Sequence, residues 1–66
     1  MPSQWRALNA IVELRRLAAD VVTVADLAIY SGKDGEKAVA MRMLPGKIRQ
    51  LQFRASRALT ALEEAP

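Results

Sequence analysis

The sequence predicts an all-α protein: a compact four-helix domain with a helix-turn-helix-like central pair, spanning residues 1–66 as one unit. Three observations lead there. Apolar residues recur at helical spacing from Ser3 to Ala19 and again from Lys47 to Glu64. Three punctuation points divide the chain: Asp20-Val21-Val22-Thr23, Gly32-Lys33-Asp34-Gly35 and Pro45-Gly46. The one β-branched run, Val21 to Val24, is too short to argue for a strand and reads as a link.

The first helix runs from Ser3, a plausible N-cap after Pro2, to Ala19. Trp5, Leu8, Ile11, Val12 and Ala19 fall on one arc, extended by Ala7, Ala10, Leu14, Leu17 and Ala18. The polar arc, Arg6, Asn9, Glu13 and Arg16, is narrow. So wide an apolar arc implies cover from more than one direction, by a partner or a dimer mate.

Thr23 suits the N-cap of a second, short helix, with Asp26 at the capping-box position and Leu27, Ala28 and Tyr30 following. Gly32 takes the left-handed position after its end. A third helix, from Asp34 or Gly35 to Leu44, stops at Pro45, because proline disfavours helical backbone at the residue before it. The fourth runs from Lys47 to about Glu64, with Ile48, Leu51, Ala55, Ala58, Leu59 and Leu62 as one apolar stripe. Between the second and third helices, Leu27 serves as buried anchor, Ala28 as the small residue at the crossing, and Ala38 with Met41 as the inner face.

Composition narrows the function classes. The chain has no Cys and no His, which excludes disulfides, thiolate chemistry and nearly all zinc sites. No nucleophile has a base beside it, and the GKDGEK stretch lacks phosphate-loop spacing, so neither an enzyme nor a cofactor or metal is expected. No apolar run approaches a membrane span, and the first residues lack signal-peptide order, which reads as cytoplasmic. Apolar residues make up 52% of the chain. A chain this short buries only roughly 60% of its unfolded surface, so apolar area should remain for a partner to cover.

The net charge of +3 is concentrated late. Arg42, Lys47, Arg49, Arg54 and Arg57 occur with no acid among them. Arg49, Phe53 and Arg57 form a basic-aromatic-basic ladder at four-residue steps, well off the apolar stripe. Two readings of Phe53 stand side by side: core beneath a first helix bearing Trp5, or the centre of a protein-binding patch. Arg49, Phe53, Arg54 and Arg57, with Met41 and Met43 as adaptable apolar contacts, are the candidate partner-binding residues. The alternative is DNA, with Lys33, Lys37, Arg42, Lys47 and Arg49 on phosphates. The third helix carries no Asn, Gln or Ser, which makes it a poor base reader.

Arg6-Ala7-Leu8-Asn9, then Leu27-Ala28 with Gly32, then Arg49, Leu51, Arg54, Arg57, Ala58 and Leu59 carry a likeness to a known family. The chain resembles the helix-turn-helix-variant domain of bacterial regulators of conjugative-element transfer. That resemblance implies a transcription-regulatory role, either as an activator or as one of the small stand-alone antiactivators that bind an activator protein and block it. A free-standing chain with a poor base-reading helix suits the antiactivator, whose partner is a transcriptional regulator protein.

Overall fold

The computed structural model describes the backbone of residues 2–65 and the side chains of residues 4–65; the side chain of the expected Ser3 cap lies outside these described residues. It is a helical hairpin. Helix α1 spans Pro2–Tyr30 and helix α2 spans Asp34–Glu64, joined by a turn over residues 31–33. The all-α expectation holds, but the four-helix domain and its helix-turn-helix-like central pair do not: two expected breaks are continuous helix.

Each lost break has a physical reason. Thr23 does not cap anything. Its hydroxyl donates to the Ala19 carbonyl at 3.0 Å, the back-bond of a mid-helix threonine. Val21 is half-buried and Val24 buried, so packing outweighs their weak helix propensity. Pro45 lies inside α2. It removes one backbone donor, and helical backbone on both sides tolerates that loss. Gly32 is not left-handed, for no described residue outside or at glycine has positive φ.

The turn is held by Ser31 instead. The Ser31 hydroxyl accepts the Lys33 N–H at 3.2 Å and donates to the Glu36 carboxylate at 2.7 Å. Lys33, the residue before α2, offers no side-chain cap, and Ser31 instead ties the turn to the first turn of α2 through the Glu36 carboxylate. Asp34 and Glu36 place negative charge in the first turn of α2, where the helix dipole favours it.

What holds the hairpin together is a seam with a seven-residue repeat. On α1, Ala7, Ala10, Leu14, Leu17, Val21, Val24 and Ala28 are buried or half-buried at alternating steps of three and four. On α2 the same rhythm gives Lys37, Ala40, Leu44, Lys47, Leu51, Arg54, Ala58, Ala61 and Ala65. Such spacing, shorter than the free helical repeat, is that of a left-handed coiled coil. Two ion pairs set the antiparallel register: Lys47 with Asp20 at 2.5 Å and Arg54 with Glu13 at 2.9 Å. Seven residues forward on α1 match seven back on α2. The seam therefore places Ala7 opposite Ala61, Ala10 opposite Ala58, Leu17 opposite Leu51 and Ala28 opposite Ala40.

The seam is slender. Its fully buried members are Ala7, Val24, Ala40, Ala58 and Ala61, and no large side chain is sealed away among the described residues. Alanine layers let two backbones approach closely but remove little apolar area from water. Lys47 and Arg54 sit on the seam itself, lay their aliphatic stems along it and carry their charges out to one flank.

Register also divides the outside into two faces. On the flank that holds both ion pairs are Arg6, Asn9, Glu13, Arg16 and Asp20 of α1, with Gln50, Phe53, Arg57 and Thr60 of α2. The opposite flank is apolar: Leu8, Ile11, Val22 and Ile29 of α1 are all exposed there. Met41, Ile48, Leu59 and Leu62 of α2 continue it.

Candidate interaction surface

The polar flank brings together most of the expected partner-binding residues. Phe53 is 59% exposed, which settles its position outside the core. Trp5, at 65% exposure, does not cover it. The Arg57 guanidinium carbon lies 5.8 Å from the Phe53 ring centroid, a cation–π distance. The two are one helical turn apart on α2, so the pairing is built into the helix and needs no loop to hold it.

Two shallow grooves flank this pair. One, of about 430 Å³, is lined by Arg6, Asn9, Glu13, Arg54, Arg57 and Thr60 among others. The second, of about 410 Å³, is lined by Glu13, Arg16, Leu17, Gln50, Phe53 and Arg54. The Arg54–Glu13 bridge is common to both and ties the two helices at the middle of the surface. With Glu13 engaged by Arg54, the remaining charge of this stretch is net cationic, with Arg6, Arg16 and Arg57 against Glu64. The flank thus offers an exposed ring between arginines, over a rigid two-helix floor.

Other expected residues fall elsewhere. Met43 is exposed on the polar flank, whereas Met41 is exposed on the apolar one, so the two methionines do not form one groove. Arg49 is exposed one helical turn before Phe53 on α2 but lines neither groove, and Arg42 is exposed on the same side of the helix. The proposed phosphate contacts are scattered: Lys33 is in the turn, Lys37 is on the seam beside it, and Lys47 is engaged by Asp20. The helices expected to form a helix-turn-helix are the antiparallel arms of one hairpin, so no recognition helix projects from a crossed pair.

Residues of α1 at the surface, Arg6, Glu13 and Arg16, were not singled out as site residues from sequence. The step of seven that links Arg6, Glu13 and Asp20 beside the seam is the signal that places them. Among the described residues, no group of three acidic, His or Cys side chains could hold a metal ion. Nor is any described helix long and apolar enough to cross a membrane. No family model matches the chain, and no curated protein or solved structure matches it either.

Proposed function

We propose that this protein is a non-enzymatic regulator that acts by protein contact, using the polar flank of the hairpin as its docking surface. The observation that carries the reading is the exposed Phe53 ring under Arg57, set between two grooves on rigid helices. Aromatic and arginine side chains dominate the energetic centres of protein interfaces. The arginines around the ring favour a partner with an apolar contact rimmed by acidic groups. The resemblance to conjugative-transfer regulators names such a partner, a transcriptional activator held inactive by this chain. Its helix-turn-helix does not carry over, so the role rests on contact with the activator alone.

The test is a reporter driven by the candidate activator, with direct binding measured in parallel. Silencing by the native chain is expected. Phe53→Ala should weaken activator binding by about 30-fold, corresponding to roughly 2 kcal/mol at an interface centre. Arg57→Glu should weaken it further, and both variants should keep the native helical circular-dichroism spectrum. Undiminished silencing by both variants, or a mobility shift of DNA by this chain without a protein partner, would overturn the proposal.

A further inference from the structure

We propose that the apolar flank of the hairpin is the interface with a second copy of this chain, and that two hairpins stack face to face as a four-helix bundle with both turns at one end. This inference uses the face opposite the one assigned above and does not rest on that assignment.

The surface area calls for a partner. The chain exposes 5134 Å², whereas a compact monomer of its 7.3 kDa mass exposes roughly 4,200 Å². The excess of roughly 1,000 Å² is close to the ~800 Å² that each protein contributes to a stable interface. Its origin is the shape: a ribbon 48 × 15 × 12 Å in which each helix has a neighbour on one side only. Chains of this size without disulfides or metals commonly complete their cores by oligomerising. More than half of the large exposed apolar side chains lie on this one flank of both helices, with Val22 at 58% and Ile48 at 41% exposure.

The face is complementary to itself, which selects a second copy as its occupant. Across the hairpin register, three large side chains of this flank stand at the height of small ones on the other helix, Ile11 with Ala55, Ile48 with Ala18 and Met41 with Ala25, while Leu8 stands level with Leu59 near the open end. Rotating one hairpin by half a turn about its long axis lays α1 over α2 of the other copy at these same heights. Large then meets small in those three layers, as interdigitation requires, and Leu8 meets Leu59 at the open end. Arg15 is the one charged residue along the body of this face, since Asp34, seven before Met41, stands at its turn end, and the same rotation brings Arg15 over Gln52, a neutral hydrogen-bonding side chain. Stacking α1 on α1 would instead place the two Arg15 charges within about one helical turn of each other. That repulsion selects the arrangement with both turns at one end.

Sedimentation equilibrium on the full chain tests the interface. The expected mass is twice 7.3 kDa. Val22→Glu and Ile48→Glu, which put charge on the apolar flank, should halve it. Val39→Glu makes the same change on the other side of α2 and should leave the dimer intact. A native chain that is helical and monomeric throughout, or a dimer undisturbed by Val22→Glu and Ile48→Glu, overturns the proposal.

A second measurement needs no disruptive variant. The chain has no cysteine, and a side chain at Gly32 meets nothing within 4 Å, so a spin label at Gly32→Cys is unique and harmless. Turns at one end predict a label separation under roughly 30 Å, about two helix diameters plus the label arms. A separation near the 48 Å length of the ribbon would place the turns at opposite ends and overturn the stated pairing.

Discussion

Ser31 closes the hairpin with a single hydroxyl. It accepts from one backbone group and donates to one carboxylate, so truncating it leaves the Lys33 N–H and Glu36 without these partners. Ser31→Ala should therefore lower the stability of the hairpin by about 1 kcal/mol, the usual net worth of a hydrogen bond, read as a shift of the urea midpoint at constant slope. Phe53 is governed by a different principle. It is not needed to fill the seam, so its removal should be silent in folding and visible only in binding. The contrast between these two residues separates what closes the fold from what is displayed on it.

At the scale of the element, α2 carries two residues that oppose helix in its middle, Pro45 and Gly46. The helix continues through them because the seam residues on either side, Leu44 and Lys47, keep their places against α1. Local preference is overruled at a cost. Gly46 has no neighbour within 4 Å of an added methyl group and an ordinary φ. Gly46→Ala should thus raise stability by about 1 kcal/mol, and Pro45→Ala by up to ~3 kcal/mol, seen as higher thermal midpoints with little change in helix content. The ion pairs at Lys47 and Arg54 contribute less than their geometry invites, because both are substantially solvated; each is worth about 0–1 kcal/mol. Their larger effect is on register: a charge on the seam is accommodated only where a carboxylate waits on the flank, and slipping by one seven-residue step would misplace at least one pair.

For the whole molecule, the distribution of small and large residues is the governing fact. Alanines make up most of the fully buried seam, while large apolar side chains such as Leu8, Ile11, Val22, Met41, Ile48 and Leu59 remain on the outside. A monomer built this way removes little apolar surface from water, and association is the route by which that surface becomes core. The thermal midpoint should accordingly climb with protein concentration, as mass action requires when folding is linked to assembly. A midpoint independent of concentration would mean the hairpin is stable alone. In the assembled form the two polar flanks, each with its Phe53 and Arg57, would face outward on opposite sides.

The helical character, the turn near Gly32, the apolar stripe of the last helix and the excess of apolar surface are all legible in the chain read one residue at a time. They follow from local preferences and periodicity, which a linear sequence carries directly. The number of helices was not legible that way. Thr23 and Pro45 are ordinary helix boundaries by local rules, and only pairing across the seam makes each the interior of a longer helix. The same holds for the surface around Phe53: helical spacing gives Arg49 and Arg57 as its neighbours, but Glu13 and Arg16, some forty residues away, border it across the hairpin. Helix termini and site membership depend on which residues meet across the hairpin, and that is decided by the energy of packing two helices together, a quantity no single segment contains.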